Sequence, residues 1–92
     1  MERNHCVYIL ECRDGTLYTG YTVNIKERLK RHAEGKGAKY TRGRGPFTLR
    51  YQENFPTKSS ALKREYEIKS WNREKKWSLI KEKGLGEYGY SK

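Results

Sequence analysis

Ninety-two residues make one domain with a single small core and leave no room for a second. Lys and Arg number 21 against 11 Asp and Glu, a formal charge of +10 at pH 7, which points to a polyanionic partner: nucleic acid first, an anionic membrane surface second. An aromatic content of 13%, with eight tyrosines, excludes a disordered basic tail, and no apolar run approaches the roughly 20 residues of a membrane span.

Met1 to His5 runs straight into a strand with no apolar signal region, so a cytoplasmic protein is expected. Cys6 to Thr22 reads as a β-hairpin, in which two runs rich in Val, Ile, Leu, Thr and Tyr flank Asp14-Gly15. A three-residue loop, Arg13-Asp14-Gly15 with Gly15 left-handed, pairs Leu10 with Tyr18 and Tyr8 with Gly20, which puts both tyrosines on one face. Val7, Ile9, Leu17 and Tyr21 then share the other face, the better candidate for the main core. A two-residue loop would separate the tyrosines, so the register bears on function. Cys6 and Cys12 have no metal-ligand spacing to another Cys or His and read as reduced structural thiols.

Val23 to Glu34 is expected to be a helix, with Asn24 and Glu27 in capping-box spacing and Gly35 as its stop. Ile25, Leu29 and Ala33 form its apolar stripe, with His32 inside the stripe and Arg28 on its edge. A His there is commonly a hydrogen-bonded core residue, whereas an inward Arg asks for an anionic partner. Gly35 to Pro46 is glycine-rich and carries Lys36, Lys39, Arg42 and Arg44 around Tyr40. It suits phosphates and close backbone approach, and it suits a solvated, mobile loop equally well. Phe47 to Phe55 alternates as a third strand, with Phe47, Leu49, Tyr51 and Phe55 on one face.

Thr57 is the expected N-cap of a second helix running to about Ser70. With Leu62 at the centre of its apolar sector, Ala61, Glu65 and Ile68 face inward while Glu67 faces solvent. An inward carboxylate needs a partner or a metal, and Arg28 is the simplest partner for Glu65. Trp71 to Lys83 reads as a third helix, with Asn72 near its start, Trp77 and Ile80 inward and Gly84 as its stop. The expectation is an α+β domain over residues 1–84 in the order ββαβαα, a three-stranded antiparallel sheet flanked by three helices, with a flexible tail over 85–92.

Val7-Tyr8-Ile9 followed by Tyr18-Thr19-Gly20 resembles the paired tyrosine motifs of the GIY-YIG nuclease family, with Val7 and Thr19 each in place of Ile. The match continues through Arg28, His32 and Glu65 and so covers most of the chain, which in length is most similar to the small stand-alone bacterial members. The resemblance implies the same ββαβαα order and a metal-dependent endonuclease acting on nucleic acid, DNA ahead of RNA, in a repair or recombination setting. Carried onto this chain, it makes Glu65 the ligand of Mg²⁺ or Mn²⁺, Arg28 the phosphate-stabilising cation, and Tyr8 and Tyr18 the residues around the attacking water. His32 assists a tyrosine hydroxyl, and Gly20 leaves room for the substrate backbone. One carboxylate is chemically sufficient, because Mg²⁺ keeps several waters and takes phosphate oxygens as ligands.

Lys39, Tyr40, Arg42 and Arg44 complete the expected substrate contacts. Family nucleases carry a further Asn beyond the metal Glu, and Asn72 stands nearest, although a helix start explains it equally well. No small-molecule cofactor is expected, and the assembly is read as a monomer or weak homodimer. The same charge and aromatics support a catalytically weak or inactive nucleic-acid-binding module, which would not require Glu65.

Overall fold

The hairpin forms in the register that the three-residue turn demands. In the computed structural model, which describes residues 5–37 and 39–84, strand β1 (His5–Glu11) pairs antiparallel with β2 (Leu17–Thr22). Tyr8 stands opposite Gly20 and Leu10 opposite Tyr18, and the loop closes with Gly15 at φ 87°. Strand β3 (Thr48–Phe55) lies antiparallel on the other side of β1, giving the order β2-β1-β3 with β1 central.

Both faces of this sheet are buried, which corrects the expectation of one main core side. Cys6, Tyr8, Leu10 and Cys12 pack with Leu29, Phe47 and Leu49 on one face. Val7 and Ile9 pack with Tyr51, Ala61, Ile68, Leu79 and Ile80 on the other. The alternation expected for β3 also breaks. Ile9 pairs with Tyr51 and Leu10 with Leu49, so Arg50 is an extra residue on β3. One inserted residue reverses the facing of everything beyond it, and Phe47 and Leu49 therefore serve the tyrosine face while Tyr51 and Phe55 serve the opposite one.

Helix α1 (Ile25–Ala33) begins two residues later than expected, because the Asn24 side chain caps it by accepting from the Glu27 N–H at 3.1 Å. It lies on the tyrosine face through Leu29 and Ile25, whereas Ala33 is exposed. A short 3₁₀ turn, Lys39–Thr41, follows within the glycine-rich segment.

Helices α2 (Lys58–Lys69, capped by Thr57) and α3 (Arg73–Lys83, capped by Asn72) cover the opposite face. Asn72 accepts from the Lys75 N–H at 2.8 Å, which accounts for it as a cap. Ala61 and Ile68 are buried as their phase predicts, but Leu62 is 39% exposed, so the buried sector of α2 is narrower than its apolar pattern suggests. Ile80 is buried and Trp77 half-buried; Gly84 ends α3, its N–H bonding to Ile80 O at 2.8 Å. The ββαβαα order stands as expected, and among the described residues no helix is long and apolar enough to cross a membrane. The expected tail, 85–92, lies outside the described residues.

Candidate active site

Tyr8 belongs to the central strand, yet its phenol reaches toward the β2 edge because residue 20 has no side chain. A Cβ at Gly20 would fall 2.5 Å from the Tyr8 hydroxyl and 2.6 Å from its Cζ. The space at Gly20 thus admits the protein's own tyrosine, which follows from cross-strand pairing of Tyr8 with Gly20. Tyr8 and Tyr18 lie side by side, ring centroids 6.3 Å apart, and the His32 ring meets both edge-on at 5.9 and 5.5 Å.

A continuous polar contact runs through this otherwise apolar face. The Tyr8 hydroxyl lies 2.9 Å from His32 Nε2, and His32 Nδ1 lies 2.8 Å from the Thr41 hydroxyl. Tyr8, His32 and Thr41 are all at most 1% exposed. Burial, reinforced by the Arg28 guanidinium, lowers the His32 pKa to about 4, so the imidazole is neutral at physiological pH. Burial, with Tyr18 adding to it and Arg28 opposing it, raises the Tyr8 pKa, so Tyr8 rests as the phenol. Arg28, one turn before His32, is half-buried; its Nη1 makes a long contact of 3.5 Å to the Tyr21 carbonyl on β2, and its guanidinium also interacts with the Tyr8 hydroxyl.

Glu65 sits in the other layer, on α2. Arg64 reaches β3 through Glu53 at 3.3 Å, and Glu65 lies about 100° round the helix from it. Glu65 is the inward carboxylate that its phase predicts, at 17% side-chain exposure, whereas Glu67 is at 55% and pairs with Arg64. The partner of Glu65 is not Arg28 but Lys69, whose Nζ lies 3.2 Å from Oε2 one helical turn on. Such an i,i+4 pair contributes only a few tenths of a kcal/mol and yields readily to a stronger cation.

The donor set decides which metal these residues suit. Among the described residues no three His, Cys, Asp or Glu side chains cluster, which rules out a closed all-protein cage there. One accessible carboxylate with a weakly held lysine suits a hard, water-rich cation such as Mg²⁺ or Mn²⁺ that completes its shell with solvent and phosphate oxygens. Cys6 and Cys12 are free and buried.

The glycine-rich segment is tied to the hairpin at its C-terminal end. Arg13 N–H donates to Arg44 O at 2.8 Å, and Arg44 pairs with Asp14 at 2.5 Å while its guanidinium lies over the Tyr40 ring at 4.9 Å. Tyr40 stacks in turn on Tyr18 at 5.8 Å. Arg44 is thus committed to the hairpin turn, Tyr40 extends the tyrosine cluster outward, and Arg42 is exposed; the Lys39 side chain lies outside the described residues. Thr41 was not apparent from the residues alone, because nothing in composition or periodicity marks one threonine in a polar loop. Thr19 is a second case. Its hydroxyl is buried with no hydrogen-bond partner among the described residues, the consequence of a threonine at an apolar position.

The order of the elements agrees with the comparison to known proteins. Residues 4–78 match the model of the GIY-YIG catalytic domain. The chain belongs to the GIY-YIG family. It is 58% identical to the UPF0213 protein BH0048 of Halalkalibacterium halodurans over 88% of this chain and 86% of that protein. A UPF0213 protein of Staphylococcus aureus is 56% identical over 87% of this chain and 98% of its own length. The solution NMR structure of BH0048 superposes with a TM-score of 0.61 over 89% of this chain and 87% of that one, at 57% identity. That of EF2693 from E. faecalis gives a TM-score of 0.61 over 88% of each chain at 40% identity. This GIY-YIG chain is therefore a small bacterial-type member of a nuclease family.

Proposed function

We propose that this GIY-YIG chain is a divalent-metal-dependent endonuclease that hydrolyses phosphodiester bonds in nucleic acid, DNA ahead of RNA, in repair or recombination. The observation that carries the reading is the buried contact from the Tyr8 hydroxyl to a neutral His32, with Arg28 beside it at the β2 edge.

Neither Tyr8 nor His32 is charged at neutral pH, so the proton acceptor of the resting site is the Nε2 lone pair rather than a preformed tyrosinate. Tyr8 accepts a proton from the attacking water as its own phenolic proton passes to Nε2. The water oxygen bonds to phosphorus and the bond to the leaving ester oxygen breaks. The proton then held on His32 is placed unfavourably, in a buried site next to Arg28, and is returned to the leaving oxygen through solvent. Arg28 exchanges its long contact to the Tyr21 carbonyl for phosphate oxygens and stabilises the charge that builds on them. Tyr18, less buried than Tyr8, orients the water, and Tyr40 and Arg42 line the approach of the strand. Glu65 would hold Mg²⁺ or Mn²⁺, which when bound supplies charge neutralisation at the phosphate.

Glu65→Ala and Glu67→Ala form the deciding pair, assayed with Mg²⁺ and Mn²⁺ on single-stranded, duplex and branched substrates. Glu65→Ala is expected to lose cleavage by about 100-fold or more while keeping its fold and its nucleic-acid affinity. Glu67→Ala is expected to stay near wild type. Binding without cleavage by every form, wild type included, would replace the nuclease with a binding module.

A further inference from the structure

His32 spends both ring nitrogens inside the protein, Nε2 against Tyr8 and Nδ1 against Thr41. A neutral imidazole carries one ring proton, so the two hydroxyls compete to decide which nitrogen holds it. A phenol is far more acidic than an aliphatic alcohol and is the stronger donor, while the alcohol oxygen is the better acceptor. The positive guanidinium of Arg28 beside Tyr8 pushes in the same direction. The glycine-rich loop also closes over this side of the ring: a Cβ at Gly37 would fall 2.3 Å from Nδ1. Among the described residues, the other groups packed against the ring are Tyr18 from β2 and Phe47 at 5.8 Å, with Arg28 from the same helix, and none of them is a carboxylate.

We infer that Thr41 is a positioning residue: its hydroxyl accepts the Nδ1 proton of His32 and so holds the imidazole in the tautomer whose Nε2 lone pair faces the Tyr8 phenol. Its effect on turnover rests on the nuclease reading above; its effect on the tautomer does not. The glycine-rich loop is thereby assigned a role besides contact with phosphate. It carries a side chain that sets the protonation pattern of the buried pair, and it does so from a 3₁₀ turn anchored to the hairpin through Arg44. Removing an outer partner that orients a catalytic imidazole lowers activity by about 10- to 100-fold in comparable second-layer contacts.

The test is ¹⁵N-detected NMR of the His32 ring at neutral pH in the wild type, Thr41→Val and Thr41→Ser. The proton is expected on Nδ1 in the wild type, distributed between both nitrogens in Thr41→Val, and back on Nδ1 in Thr41→Ser. In cleavage assays Thr41→Val is expected to lower kcat with KM unchanged, and Thr41→Ser to restore it. A wild-type ring protonated on Nε2, or an unchanged tautomer in Thr41→Val, overturns the assignment. If Thr41→Val does not fold, the wild type and Thr41→Ser decide it: Nδ1–H in both supports the role and Nε2–H in either removes it. Absence of cleavage by the wild type would count against the nuclease reading, while the ring nitrogens would still decide the role of Thr41.

Discussion

The two faces of the sheet bury similar amounts of side chain by different means. On the α2–α3 face the interior is aliphatic and aromatic, Val7, Ile9, Tyr51, Ala61, Ile68, Leu79 and Ile80, and charge is kept at the rim. There Arg64 and Lys75 lie over Trp71 at 5.3 and 4.6 Å, while Arg50 and Arg73 lie over Trp77 at 5.7 and 5.9 Å. Long cationic stems cover rings while their charged ends stay wet, an arrangement that packs well. On the α1 face a phenol, an imidazole and a hydroxyl are enclosed with Cys6, Leu10, Leu29, Phe47 and Leu49, each polar atom satisfied by the next. One face is therefore insensitive to which apolar residue fills it provided the volume is kept, whereas the other depends on three particular polar atoms staying in contact.

The largest effect is expected on the packing face. Ile68→Ala empties a fully buried position and should lower stability by about 2–5 kcal/mol, read as the urea midpoint. It should leave the Tyr8–His32 contact in the fraction that remains folded, visible as unchanged His32 ring shifts. Altered ring shifts would mean that the two faces are coupled through β1 and that the contrast drawn between them is too sharp.

Acidification should act on the other face. The folded pKa of His32 is about 4 against an ordinary value of 6.5, so on acidification the unfolded chain takes up the proton first. The stability contributed by neutral His32 is complete above the unfolded value, declines from about pH 6.5 and is exhausted near about pH 4, a loss of about 3 kcal/mol. Urea midpoints measured across that window should show the slope in the wild type and a shallower one in His32→Asn. Equal slopes in both proteins would show that His32 does not titrate as its burial requires.

A smaller effect is expected from Gly20→Ala. The added methyl would stand 2.5 Å from the Tyr8 hydroxyl and 3.0 Å from Tyr18 Cε2, so the phenol must withdraw from His32. We expect about 1–3 kcal/mol of destabilisation and a shifted His32 ring signal, with the amides of α2 and α3 unmoved. Movement confined to α2 and α3 would contradict the view that Gly20 serves only the tyrosine face.

Local patterns in the chain were sufficient for a good part of this architecture. Asp14-Gly15 set the hairpin register and with it the shared face of Tyr8 and Tyr18, because turn geometry and the period of two act over a few neighbouring residues. Asn24, Thr57 and Asn72 were legible as helix starts for the same reason: a cap is a contact across three residues. The phase of α2 separated Glu65 from Glu67 before any neighbour was known, and the paired tyrosine motifs carried the family.

What the chain alone left open depends on contacts between distant segments. Whether a face of the sheet is covered depends on where helices dock, so both faces proved to be core where one was expected. The bulge at Arg50 arises from pairing with β1 and redirects Phe47 and Leu49 without any mark in the local alternation. Glu65 found Lys69 rather than Arg28 because the sheet stands between α1 and α2. Thr41 gains its significance only when a loop nine residues beyond His32 folds back onto Nδ1. Hydrogen bonding is directional and short-ranged, so which polar atoms meet is decided by tertiary packing, while the periodicities that build strands and helices are already written in the order of the residues.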